Sequence, residues 1–279
     1  MTDDAGKTEM IALYAPERSL SLSEGNDARP YETYNVQVRA NGGELEEIEG
    51  VQVFAGEYSY LNVEPIPTRL QRSAQRNIDV IPDHHLLTNE GGNNVGQTPP
   101  NTTARILTQV VIPTNITVHL GRPDRNAENV TVPFLYYLKN VASSEIYPTW
   151  PYEALKANIW AQMSLVLNRI YTEWYRSKGY SFDITNSTAF DQAFVKNRNI
   201  YDSIAEVVDE VFGDYIQKRN YMEPYYAEYC DGKNAQCPGL KQWGTLDLAN
   251  QGYSALRILR YYYGDEINIR STDNIQDIV

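Results

Sequence analysis

The sequence predicts an α+β fold in which helices pack on an antiparallel sheet, preceded by a small β unit. Three observations predict it. Apolar and polar residues alternate along Tyr34-Asn35-Val36-Gln37-Val38-Arg39, the period of a half-buried strand. Between Leu155 and Trp174 apolar residues recur at helical spacing on two faces. Separating these regions is a stretch rich in Gly, Asn, Pro and Thr, from Thr88 to Thr103.

Residues 1–66 read as β. After the Tyr34–Arg39 strand, Asn41-Gly42-Gly43 signals a turn, and Val51–Phe54 and Tyr58–Val63 supply further short strands. Such a sheet has one apolar face and needs a second layer. Residues 67–104 read as a linker, with His84 and His85 in it as solvated side chains. A mixed domain is expected over 105–270, with 271–279 as a tail. Its strands are Ile106–Val111, Ile116–Leu120 and Val130–Pro133, followed by a short helix at Phe134–Leu138.

The strongest helix starts near Pro151, where a missing N–H costs nothing, with Glu153 near the positive end of its dipole. Leu155, Ile159, Met163, Val166 and Ile170 form one stripe, and Trp160, Leu167 and Trp174 a second, as in a central buried helix; Gly179 lies beyond its end. A helix from about Ile200 to Tyr215 sets Ile204, Val207, Val208, Val211 and Phe212 opposite Asp202, Glu206, Asp209 and Glu210. Another spans about Thr245–Asn250. Ser254 caps a last one, Ala255–Tyr263, which Gly264 closes.

Composition narrows the function. A net charge of −12 argues against a nucleic-acid partner, whose phosphates need clustered Lys and Arg, and against an anionic membrane surface. No apolar run is long enough to span a bilayer. Met1-Thr2-Asp3-Asp4 lacks the basic and apolar regions of a secretory signal. Tyr is abundant, 22 residues against 6 Phe and 4 Trp. Its flat face and hydroxyl suit sugar-binding clefts as well as a Tyr-rich core. Neither a phosphate-binding glycine loop nor a dinucleotide fingerprint occurs, so no organic cofactor is expected. The only cysteines, Cys230 and Cys237, form a small disulfide loop, share a metal such as zinc, or remain thiols. Two cysteines supply half the ligands of a structural zinc site.

The segment Val132-Pro133-Phe134-Leu135-Tyr136-Tyr137-Leu138 through Ala142-Ser143-Ser144-Glu145-Ile146-Tyr147-Pro148-Thr149-Trp150-Pro151-Tyr152-Glu153-Ala154-Leu155-Lys156-Ala157 resembles the hallmark of the stage II sporulation protein D (SpoIID) family. A second block resembles the family's closing motifs: Gln242-Trp243-Gly244-Thr245-Leu246-Asp247-Leu248-Ala249 with Ile258-Leu259-Arg260-Tyr261-Tyr262-Tyr263. The chain departs from the pattern by one extra residue between Glu145 and Pro148. It also lacks the histidine of the family's G-H-G stretch, where Cys237-Pro238-Gly239-Leu240-Lys241 stands. Asp4-Ala5-Gly6-Lys7-Thr8 through Gly50–Gly56 is similar to the later strands of a carboxypeptidase-regulatory-like β-sandwich, which implies a sandwich fragment and a numbering that starts inside a domain. Sequons at Asn101, Asn115, Asn129 and Asn186 read as chance matches in the bacterial source implied.

The resemblance implies a lytic transglycosylase of peptidoglycan glycan strands, placed in the cell wall or outside the cell, in wall remodelling or sporulation. Other cell-wall hydrolases are possible partners. Glu145 matches the catalytic glutamate, and Tyr147, Trp150, Gln242 and Trp243 are candidate substrate contacts. Some members hold zinc near the position of Cys230 and Cys237. The physics of the role is general: a poorly basic glycosidic oxygen needs a proton, and a carboxyl keeps one near neutral pH only when burial disfavours its anion. Asp183, Asp191 and Asp231 are the candidates for a second carboxylate; Lys156 and Arg169 are candidates to hold a substrate acetamide or carboxylate, with solvated surface charge the favoured reading for each. The competing readings are a helix-entry carboxylate for Glu145, and a non-catalytic wall-binding module or amidase enhancer for the domain.

Overall fold

Strand β1 (Tyr31–Arg39) runs antiparallel to β2 (Leu45–Phe54), which pairs in parallel with β4 (Asn77–Val80); β3 (Ser59–Tyr60) leaves this sheet. The chain is described by a computed structural model at residues 2–3, 6–25, 28–39, 45–63, 77–88 and 107–277. Among these residues the N-terminal part holds one three-stranded sheet, so the second sheet of a carboxypeptidase-regulatory-like sandwich is not confirmed. Its apolar face packs onto the rest of the protein, where Tyr31, Phe54 and Leu86 join the main core.

The rest follows in chain order as β5 (Ile112–Pro113), β6 (Asn115–His119), β7 (Asn129–Pro133), α1 (Phe134–Glu145) and α2 (Tyr152–Tyr171). Next come β8 (Ile184–Thr185), β9 (Ile200–Tyr201), α3 (Asp202–Val211), β10 (Asp214–Lys218), β11 (Tyr229–Cys230) and β12 (Leu240–Lys241). α4 (Gln242–Asn250), α5 (Ala255–Tyr263), β13 (Ile267–Ser271) and β14 (Ile275–Gln276) complete it. Strand β6 lies between β7, antiparallel, and β8, parallel. The expected antiparallel sheet is thus a set of small mixed sheets around helices.

Helix α2 is the axis of the core. Every residue from Ala157 to Tyr171 is buried, as its two apolar stripes predict. Pro151 stands just before its first turn, and Thr172 ends it. Gly179, at φ 86°, closes a separate short turn at Arg176–Lys178. Strand β10 docks on α2, with the Ile216 amide donating to Ser164 Oγ at 2.7 Å. The buried pair Arg169–Asp191 fastens α2 to the loop after β8: Arg169 Nε donates to Asp191 Oδ1 at 2.9 Å, and Tyr175 and Thr185 also donate to that carboxylate. Arg169 is therefore a core cation and not the solvated charge expected, with Trp174 and Tyr226 against its guanidinium.

Other boundaries also differ from expectation. The region read as a linker is described at 77–88, where it forms β4 and a short turn at His85–Leu87; its remainder lies outside the described residues. His84 and His85 are buried, because the apolar Leu86 beside them joins the core. No strand forms over Leu107–Val111. The Ile200–Tyr215 helix divides into β9, α3 and β10, and Gly213 at φ 98° makes the turn. The 271–279 stretch is not a tail throughout, since β14 pairs with β5 through Ile275 and Ile112. Helix α5 has the predicted bounds, with Ser254 Oγ accepting from the Arg257 amide.

The N-terminal sheet is stitched to this body. Strand β3 pairs with β9, and Asn199 Nδ2 donates to the Gln52 carbonyl at 2.9 Å. A short turn at Arg18–Leu22 clasps the loop between α1 and α2. There Trp150 Nε1 donates to the Ser21 carbonyl at 2.9 Å, Thr149 Oγ1 to Ser21 Oγ at 2.7 Å, and Arg18 Nη2 to the Thr149 carbonyl at 2.9 Å. The expected 1–66 and 105–270 units therefore share one core. Arg169→Met strands Asp191 without its cation, and its expected cost is about 3–5 kcal/mol, measured as a lower denaturation midpoint.

Candidate functional site

Glu145 is the last residue of α1, not the entry of α2, and its side chain is 1 % exposed. The apolar run Val141-Ala142 draws this end of α1 into the core, and Ile146, in extended backbone, turns the chain away. Three neutral donors from three elements meet the carboxylate. Gln162 Nε2 from α2 donates to Oε2 at 2.8 Å, Tyr229 Oη from β11 donates to Oε2 at 2.7 Å, and the Ala193 amide donates to Oε1 at 2.8 Å. Among the described residues no Lys, Arg or His forms an ion pair with Glu145.

Burial dominates the electrostatics. It pushes the Glu145 carboxyl up from 4.5 to about 7, against the pull of the three donors, which favour the anion. The negative end of the α1 dipole acts in the same direction as burial. Gln192 braces the cage: Tyr137 Oη donates to its Oε1 at 3.0 Å, while its Nε2 donates to Tyr229 Oη at 3.0 Å and to the Gln162 carbonyl at 3.1 Å. Asp191, Gln192 and Ala193 thus anchor to Arg169, to the tyrosines and to Glu145 in succession.

Of the candidate substrate contacts the three aromatic ones lie together, and all four are inside the protein. Tyr147 is 5.8 Å from Trp243 between ring centroids, and Trp150 is 5.2 Å from Trp243. His84 packs 4.6 Å from Tyr147, and burial holds its imidazole well below its ordinary pKa. Tyr147, Trp150, Gln242 and Trp243 are each no more than 5 % exposed, so none presents a face to solvent as a groove lining would. Neither amide atom of the fully buried Gln242 has a hydrogen-bond partner among the described residues, nor does Trp243 Nε1.

The other candidates are committed elsewhere. Asp183 pairs with Arg176 at 2.8 Å and accepts from the Thr117 amide; Asp231 accepts from the amides of Lys233, Asn234 and Ala235. Lys156 pairs with Glu210 at 2.8 Å on the surface. Cys230 and Cys237 form a disulfide, so zinc ligation by this pair gives way to covalent pairing. Sequence reasoning missed Gln162, Gln192, Ala193 and Tyr229. One signal was present: Gln162 lies within a helix apolar on two faces, and a buried polar side chain needs a partner.

The chain is thus a mixed α+β fold in which a buried carboxyl with neutral donors closes a core helix. Residues 125–217 match the SpoIID family model, described as a stage II sporulation protein. The match supports that family, includes Glu145, Gln162 and Ala193, and implies a cell-wall or sporulation-related role. No curated protein matches the chain. Among the described residues no helix is long and apolar enough to cross a membrane.

The sign of the pH dependence follows from linkage. Between pH 4.5 and about 7 the folded state holds a proton on Glu145 that the unfolded state has released, so stability falls as pH rises through this window. Relative to Glu145→Gln, which does not titrate, the wild-type protein is expected to lose roughly 3 kcal/mol across it. Urea denaturation of both proteins at several pH values measures the difference.

Proposed function

We propose that the protein cleaves peptidoglycan glycan strands as a lytic transglycosylase, with Glu145 as acid and then base. One observation carries the reading: a carboxyl at the family's catalytic position is buried without a cation, so that it holds a proton near neutral pH. Such a group can give its proton to the glycosidic oxygen between N-acetylmuramic acid and N-acetylglucosamine. The resulting carboxylate is supported by Gln162, Tyr229 and Ala193, and can then accept the proton of the muramic 6-hydroxyl as that oxygen attacks the anomeric carbon. The product is a 1,6-anhydro sugar, with no water consumed. Burial supports the protonated form and the three donors support the anion, so the two halves of the cycle draw on opposing terms.

Glycan must reach the buried Glu145 for this chemistry, and the buried candidate contacts Tyr147, Trp150, Gln242 and Trp243 must become accessible with it. The unpartnered Gln242 amide and Trp243 Nε1 support a substrate role there, since buried polar groups gain most from a ligand that completes their hydrogen bonds. The same burial favours a second reading: a wall-associated module that binds glycan, or enhances a partner amidase, without cutting.

Incubation with purified glycan strands stripped of peptides separates the two. Cleavage predicts anhydro ends by mass spectrometry, and Glu145→Gln lowers the rate by about two orders of magnitude or more while binding persists. Binding without cleavage, unchanged in Glu145→Gln, rejects the enzyme in favour of the module.

A further inference from the structure

Tyr229 is the one cage donor whose chain neighbour is cross-linked. Cys230, next to it in β11, is bonded to Cys237 and fully buried, while Cys237 is half-buried. Strands β11 and β12 are two residues each, pairing Tyr229 with Leu240 and Cys230 with Lys241. The loop between them is tight. A Cβ on Gly239 would stand 1.9 Å from the Glu228 carbonyl oxygen, and the Asp231 carboxylate gathers three backbone amides of its turn. The direction of the Tyr229 hydroxyl is also set. Its oxygen accepts from Gln192 Nε2, which leaves its proton for Glu145 Oε2.

We propose that Tyr229 is a positioning residue for the Glu145 carboxyl and that the Cys230–Cys237 disulfide holds it there, so that the oxidation state of the pair sets how readily Glu145 releases its proton. Reduction by a dithiol supplies two electrons and two protons. The S–S bond breaks, Cys230 and Cys237 become thiols, and the dithiol leaves as its cyclic disulfide. Cys237 is the less buried partner, so the reductant is expected to attack from its side. Two thiols need more room than two bonded sulfurs, and at a fully buried Cys230 that room comes from displacing the chain that carries Tyr229. Losing a donor to the carboxylate favours the protonated form. The groups facing Glu145 make this effect separable. Tyr137 on its own helix and Tyr229 on β11 are titratable, and His84 packs beside the turn that follows; Gln162 and the Ala193 amide do not titrate.

The consequence for catalysis rests on the transglycosylase reading, but the coupling itself does not. The test uses the full chain with carboxyl-labelled glutamate, and NMR titration of the Glu145 carbon assigned by its loss in Glu145→Gln. The expected result is an upward shift of the midpoint by about one pH unit on dithiothreitol treatment. A similar shift is expected in Tyr229→Phe and in the double variant Cys230→Ser, Cys237→Ser, and no further shift when Tyr229→Phe is reduced. An unmoved midpoint after complete reduction overturns the proposal. So does a reduction shift of equal size in Tyr229→Phe, or loss of the whole fold, seen as collapse of the near-UV dichroism. A protein that shows the coupling but cuts no glycan keeps this inference and loses the transglycosylase reading. One that cuts glycan at the same rate and midpoint in both redox states does the reverse.

Discussion

The balance that organises this protein is struck at one carboxyl group. Taking Glu145 out of water disfavours its anion, and three neutral donors restore part of what water supplied. An arginine in the cage would have fixed the group as a carboxylate, and apolar walls alone would have fixed it as an acid. The donors come from α2, the loop after β8 and β11, so keeping the balance requires those three pieces to hold their places. Much of the surrounding polar core has that effect. Arg169 with Asp191 secures the loop after β8, Gln192 links Tyr137 to Tyr229, and Ser164 receives β10.

The sequence announced the helices well and the cage poorly. Apolar spacing located α2 and α5 because each presents a periodic face, and the Ser254 and Gly264 punctuation bounded α5. Glu145 was legible through family resemblance alone, since a lone glutamate after Ser143-Ser144 has no local pattern. Its partners were not legible, because hydrogen bonds across 17 to 84 residues leave no periodic trace. His84 and His85 were misread for a related reason. Polar residues beside a Gly- and Asn-rich run look solvated, and only Tyr147 and the neighbouring core bury them.

The aromatic cluster of Tyr147, Trp150 and Trp243 joins parts of the chain far apart in sequence. Tyr147, Trp150 and Trp243 contact one another edge to face or at a tilt, and Phe54 of β2 and His84 close over Tyr147. This arrangement ties the N-terminal sheet to the helical body. It also means that any opening of this cluster breaks contacts that join the N-terminal sheet to the helical body.

The spread of the cage along the chain has a consequence for biosynthesis. As the polypeptide leaves the ribosome, Glu145 emerges first, then Gln162, then Ala193, and Tyr229 last, 84 residues after the group it serves. Until that final tyrosine appears, the carboxyl lacks one of its three donors. The donor set of this carboxyl is therefore complete only after residue 229 has been made and folded into place.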